Sequence, residues 1–302
     1  MITRERVWQL LRVPDPATIA PEAVQVGGAE LWRTVNRSRV TLIGGGGRPV
    51  PCWWLTPVTD GPWPAAVAIH QHNGEFHLGK SEPAGMSGDP HIAYGLELPQ
   101  RGVATLIPDL SGFEERRRPG LDDTRGEQLA AWDLVARGRT LLGMHVEDIA
   151  MAVSWLTQQG AVTGRVGVVG HSLGAQVGLY AMACDARIRA GVLSCGVGTV
   201  RSTTAADILH NPACYPPGIV ELGDVPVVAS VLSEQRVLVA AGRQDPIFPL
   251  AGAVEVVDSF RQDVVDFRPF DGVHEFTDEL RASALEWLQG ILRTPETPLP
   301  HP

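Results

Sequence analysis

The sequence predicts an α/β fold with a mostly parallel central sheet and helices on both of its faces. Three observations carry that prediction. Short, continuous apolar runs recur along the chain without polar alternation, which is what strands buried on both faces require. Helical stretches separate them, as crossovers between parallel strands demand. And 302 residues, 44% hydrophobic and 20% charged, suffice for one sizeable core and do not have the composition of a disordered chain.

The elements follow in order. The first 35 or so residues read as a helix (Val7, Leu10, Leu11) and a connector carrying Pro14, Pro16 and Pro21. Residues 38–43 and 50–55 flank four glycines at 44–47, a β-hairpin with a glycine tip. A phosphate cradle would need Lys-Ser/Thr and a helix after those glycines, and neither follows. Beyond Pro64 the apolar runs are 65–69, 103–107, 166–169, 191–194 and 237–241, with 264–270 as the last strand. Helices are expected over 125–159, 173–185, 250–261 and 276–292. Segments 73–95 and 196–234 are too long for simple connectors and read as lids or pocket walls, the second with a short helix at 203–210. The resulting organisation is an N-terminal helix-and-hairpin extension over 1–60 packed on the core, one α/β domain over 61–293, and a Pro-rich tail over 294–302.

Composition excludes several classes of function. A formal net charge of −9 leaves nothing basic enough to displace counterions from a nucleic acid. No run approaches the roughly 18 apolar residues of a membrane span. The first dozen residues mix charge with apolar side chains and lack the apolar stretch of a secretory signal. Cys52, Cys184, Cys195 and Cys214 include no CxxC pair and make no disulfide framework, so the expected location is cytoplasmic. Lys80 stands alone among the arginines, which reads as composition bias.

The chemistry concentrates in Gly170-His171-Ser172-Leu173-Gly174, a G-x-S-x-G sequence between a strand and a helix. In that context it predicts a nucleophile elbow, a turn so tight that side chains at 170 and 174 would collide with their neighbours. The turn holds the Ser172 hydroxyl at the sheet's carboxyl edge, over a helix N-terminus whose dipole favours developing negative charge. A serine needs a base and an acid to orient it. His274 follows the last strand and Asp245 follows the strand before it, giving the order Ser172, Asp245, His274. Asp271 and Glu275 are rival acids, too close to His274 in sequence to approach its far nitrogen easily. An oxyanion hole is expected from the backbone amide of Leu173 and one amide after the first core strand, His72 first and Gln71 second.

The rival chemistry is metal-dependent hydrolysis. His70-x-His72 would share a strand face, with His77 and His91 nearby. No HExxH motif or spaced carboxylate set completes a site, so no metal is expected, and His70 reads as a buried histidine shaping the oxyanion loop. His70, His171 and Cys195 are the further candidates for substrate contact. The charged stretch 113–118 reads as a solvated loop, with capture of an anionic substrate group as the alternative. Trp53, Trp54, Trp132 and Trp155 read as core.

With these motifs in place, residues 60–290 resemble the α/β-hydrolase superfamily. The stretches His70-Gln71-His72-Asn73-Gly74-Glu75-Phe76, Pro108-Asp109-Leu110-Ser111-Gly112-Phe113-Glu114-Glu115 and His210-Asn211-Pro212 look like its dienelactone hydrolase-related group, which includes acetyl-xylan-esterase-like members. Dienelactone hydrolase itself uses a cysteine nucleophile. Ser172 departs from that pattern, puts the dienelactone substrate in doubt and favours ester hydrolysis. The resemblance implies no metal and no organic cofactor. The expectation is a serine esterase acting on a small-molecule ester or other acyl substrate, with thioester, amide or lactone cleavage and acyl transfer open to the same triad. The N-terminal extension offers a contact surface for a homodimer.

Overall fold

Ala65, Val67 and Ile69 pack into one apolar cluster, while Ala66 and Ala68 enter another on the opposite side. Val237 and Val239 divide from Leu238 and Ala240 in the same way. Alternate residues of a strand face opposite sides, so strands covered on both faces have no polar face to show, and their runs read as unbroken. The computed structural model describes residues 2–294, and the expected tail beyond Thr294 lies outside the described residues.

The strands are β1 (Ala23–Val26), β2 (Glu30–Trp32), β3 (Val35–Gly44), β4 (Arg48–Thr56), β5 (Trp63–Ile69), β6 (Ala104–Pro108), β7 (Val162–His171), β8 (Ile188–Ser194), β9 (Arg236–Gly242) and β10 (Val265–Phe270). They form one sheet in the order β1-β3-β4-β6-β5-β7-β8-β9-β10, with β2 paired to β3. Pairing is antiparallel from β1 to the β4–β6 contact and parallel from β6 through β10. The N-terminal hairpin therefore continues the central sheet, with Gly46 (φ 71°) and Gly47 (φ 74°) turning its tip. The arrangement is the α/β-hydrolase fold.

The helices are α1 (Arg4–Leu11), α2 (Tyr94–Gln100), α3 (Asp123–Ala136), α4 (Leu141–Thr157), α5 (Leu173–Cys184), α6 (Val200–Ala205), α7 (Ile219–Leu222), α8 (Val225–Ala229), α9 (Leu250–Val257) and α10 (Asp278–Arg293). Residues of α1, α4 and α5 join one apolar cluster, and residues of α2 and α10 the other. No helix among the described residues is long and apolar enough to cross a membrane.

The connector expected before residue 35 contains β1 and β2, and four further readings need correction. The helix expected over 125–159 is two, because Gly138 takes a left-handed conformation (φ 70°) and Thr140 caps α4 by accepting the Gly143 amide at 2.8 Å. The helix expected at 203–210 lies earlier, as α6, because Thr199 caps it by accepting the Ser202 amide at 3.1 Å. Helix α2 was not foreseen, since Gly95 and Pro99 both oppose helix on propensity. Trp132 is 68% exposed on α3, although Trp155 is core.

The topology decides where a site can form. β5 is followed in the chain by β6 on one side and β7 on the other, and such a reversal opens a crevice beyond the strands' carboxyl ends. The loops after β5, β7, β9 and β10 carry His72, Ser172, Asp245 and His274.

Candidate active site

The chain passes from β7 to α5 through the single residue Ser172, at φ 54° and ψ −122°. That conformation is strained for any residue with a Cβ. The turn also requires its glycines. A Cβ on Gly170 would lie 2.2 Å from the Gly174 backbone, and one on Gly174 would lie 2.0 Å from the Ile69 carbonyl oxygen. The Ser172 amide donates to the Ser194 carbonyl at 2.8 Å, which ties the turn to the end of β8. Leu173 opens α5, where an amide has no acceptor within its own helix.

His274 and Asp245, 29 residues apart, are brought together. His274 Nδ1 donates to Asp245 Oδ2 at 2.8 Å, while Asp245 Oδ1 accepts the Ile247 and Phe248 amides at 2.9 Å each. Burial pushes the Asp245 carboxyl pKa up. The His274 hydrogen bond and charge, with the two amides, outweigh it and hold the pKa below the usual aspartate value. The rival acids are turned elsewhere: exposed Asp271 pairs with Arg243 at 3.1 Å, and Glu275 Oε1 accepts the Val273 amide at 3.4 Å. The His274 ring lies between Phe248, nearly parallel at 5.8 Å, and His171 at 4.8 Å. Its hydrogen bond among the described residues is the one to Asp245, and Ser172 Oγ is not bonded to it.

His171 is buried, with Nδ1 3.1 Å from Ser194 Oγ, and burial followed by the nearby His274 charge lowers its pKa to about 3. It stays neutral beside the candidate base. Cys195 Sγ donates to the Glu275 carbonyl at 3.5 Å, and burial pushes the thiol up to about 12, which leaves it unreactive as a nucleophile. A cleft of about 350 Å³ opens beside His171 and His274, lined also by Gln71, Asn73, Glu275 and Asp278. A much narrower hollow lies between Gly196, Gly198, His210 and Phe248. His70 and Cys195 line neither.

In the loop after β5, His70 is fully buried. Its Nδ1 donates to the Gln71 carbonyl at 2.7 Å and its Nε2 accepts the Leu110 amide at 3.0 Å, while burial lowers its pKa to about 4. His72 Nε2 lies 3.2 Å from both Glu127 oxygens, and its Nδ1 accepts the Gly74 amide at 3.0 Å. All four ring nitrogens are thus engaged inside the protein, which opposes the pair as metal ligands. Among the described residues, no backbone carbonyl accepts the amide of Gln71 or His72.

Beneath this loop lies a charge cluster that sequence reasoning missed. Lys80 is fully buried, with Nζ 2.5 Å from Glu115, 2.6 Å from Glu114 and 3.7 Å from Asp109. Arg116 Nη1 donates to the Asp109 carbonyl at 2.7 Å and to Asp148 at 2.6 Å. The stretch 113–118 is therefore solvated only in part: Glu115, Arg117 and Arg118 are exposed, while Glu114 and Arg116 are half-buried in ion pairs. It buries Phe113, pairs internally and locks the β6 loop to the β5 loop. Burial, opposed by Lys80, raises Asp109 to about 7. The available signal was the solitary lysine, set aside as composition.

No family model matches the chain. It is 24% identical over 262 residues to YtaP of Bacillus subtilis (strain 168), covering 84% of each protein. Its fold is similar to that of acetyl xylan esterase 1 from Thermoanaerobacterium sp. JW/SL YS485, with a TM-score of 0.69, 17% identity, and 96% and 94% of the two chains covered. A glucuronoyl esterase from Solibacter usitatus gives a TM-score of 0.64 at 13% identity, covering 96% of this chain and 92% of that one.

Proposed function

We propose that this chain is a serine hydrolase that cleaves a carboxylic ester through an acyl-enzyme. The observation that carries the reading is the 2.8 Å bond from His274 to a buried Asp245, beside a serine held in a strained strand-to-helix turn. The esterases among proteins of similar fold support the ester as the bond cleaved.

His274 Nε2 takes the Ser172 hydroxyl proton as Oγ attacks the carbonyl carbon. Asp245 keeps the other ring proton on Nδ1 and stabilises the imidazolium that forms. Apo enzymes often carry this serine–histidine contact open and close it when substrate binds. The negative charge on the carbonyl oxygen falls to the amides of Leu173 and His72, each worth about 3 kcal/mol at such sites. His274 then protonates the departing alcohol, and water repeats the sequence on the acyl-enzyme. The polar lining of the cleft suits a polar alcohol. Thioesters, amides, lactones and acyl transfer to another acceptor use the same groups, and competition between water and an added alcohol separates transfer from hydrolysis.

The test is fluorophosphonate labelling with peptide mapping, alongside turnover of p-nitrophenyl acetate and butyrate. Label on Ser172, turnover of at least one ester, and loss of both in Ser172→Ala are expected. A Ser172→Ala protein with undiminished turnover overturns the assignment.

A further inference from the structure

Three chain segments bring a sulfur, a nitrogen and an oxygen donor together behind the cleft. Cys195 Sγ, a carboxylate oxygen of Asp245 and a ring nitrogen of His274 all lie within 4.8 Å of one another. Among the described residues this is the one group of three or more His, Cys, Asp or Glu side chains so placed. We propose that these three residues form a binding site for zinc or a similarly thiophilic divalent cation, and that its occupation switches off turnover. The inhibitory half rests on His274 as the base of the proposed esterase; the binding half does not.

The donor chemistry selects the ion. Thiolate, imidazole and carboxylate suit zinc, whereas magnesium and calcium prefer oxygen alone. A tetrahedral zinc with bonds of about 2.0–2.3 Å sets its ligand atoms roughly 3.3–3.8 Å apart, so closing the set takes about an ångström of side-chain movement. The framework is already held. Two backbone amides fix Asp245 Oδ1, Oδ2 exchanges its His274 hydrogen bond for the ion, and the Cys195 thiol exchanges its 3.5 Å contact to the Glu275 carbonyl. The His274 side chain is 16% exposed and lines the cleft.

The same geometry makes the cation an inhibitor. It takes the place of the Nδ1 proton, which passes through solvent to Nε2, and the thiol proton is the one released; no bond to carbon changes and nothing is oxidised. A neutral imidazole coordinated through Nδ1 carries its one proton on Nε2. That is the nitrogen that has to accept the Ser172 proton, so the base is blocked. This is the reverse of a catalytic metal: a chelator restores turnover.

The experiment uses the full chain after chelator treatment. Cadmium chloride is titrated while the ultraviolet cadmium–thiolate band is followed, and zinc chloride is titrated against p-nitrophenyl acetate turnover. Expected are one cadmium per chain, at least a tenfold loss of rate with zinc, and recovery on adding chelator. Cys195→Ser and Cys195→Ala, each normalised to its own metal-free rate and checked for fold by circular dichroism, lose the band. They require at least about tenfold more zinc, the lower end of what even an outer partner of a metal site contributes. A missing band, a band that persists without Cys195, or turnover insensitive to zinc overturns the proposal. A Cys195-dependent band in a protein that turns over no ester upholds the cation site and removes the esterase reading.

Discussion

Replacing Lys80 by methionine removes the one cation that contacts Glu114, Glu115 and Asp109 together in a fully buried position. Taking one partner from a buried ion pair costs about 3–5 kcal/mol, because the charge left behind is desolvated and uncompensated. The lower end applies here, since the Glu115 side chain is 33% exposed and water screens it. Unfolding entropy near ~2.1 cal/mol/K per residue, over 302 residues, makes 3 kcal/mol a fall in Tm of about 5 °C. The deficit also depends on pH. Burial, opposed by Lys80, raises native Asp109 to about 7, above the ~3.9 of an unfolded aspartate. The native state therefore holds a proton that the unfolded chain has lost, so this group's contribution to stability falls as pH rises from about 4 to 7. Without Lys80 the pKa rises further and the fall continues beyond neutrality. Thermal melts of both proteins near pH 6 and pH 8 read this directly, with the wider gap expected at pH 8. A Lys80→Met protein melting within about 1 °C of the parent at both pH values, or a narrower gap at pH 8, refutes the reasoning.

The remaining predictions concern the site. In Asp245→Asn an amide faces His274 Nδ1 and, on the proposed mechanism, the ring loses its useful tautomer; kcat should fall about 10⁴-fold, by analogy with the same change in a Ser-His-Asp triad. The native Asp245 carboxyl lies below its unfolded pKa, so its stabilisation is present at neutral pH and lost as pH falls through the acid range; the Tm gap between parent and variant should close below about pH 4. An equal gap at acid and neutral pH counts against that assignment. Ser172→Gly should abolish turnover yet melt about 1–3 °C above the parent, because relief of roughly 1–3 kcal/mol of backbone strain exceeds glycine's entropic cost of about 0.5–1 kcal/mol. A lower Tm would remove strain from the account of the turn.

What sequence could show follows the range of the interactions involved. The parallel strands were legible because burial on both faces is written locally, as in 65–69 and 237–241. The serine turn was legible because strand, Gly-x-Ser-x-Gly and helix are contiguous in sequence and Gly170 answers its own neighbour Gly174; the demand on Gly174 comes from Ile69 on another strand. The chain order of Asp245 and His274 pointed to a pair that the structure joins by a hydrogen bond, while Asp271 and Glu275 stayed open as rivals. Only the contact between Arg243 and Asp271 shows why one of them is elsewhere. The cluster around Lys80 was illegible for the same reason in a stronger form: Glu114 lies 34 residues from the lysine, and a charged run partly covered by such distant partners looks, in one dimension, like a wholly solvated loop. The neighbourhood of Cys195 with the His274–Asp245 pair likewise exists only once β8, β9 and β10 lie side by side.

The burial of that lone lysine reaches beyond stability. The sequence contains one ε-amine, and it lies beneath the β5 and β6 loops with no exposed surface. The four thiols are also buried. Succinimidyl esters and bulky maleimides therefore find no lysine or cysteine side chain to couple to among the described residues of the folded chain. A single lysine or cysteine introduced on the exposed face of α3, at Trp132 for instance, would be a unique chemical handle, so a dye or a solid support can be attached at one chosen point without first removing competing residues.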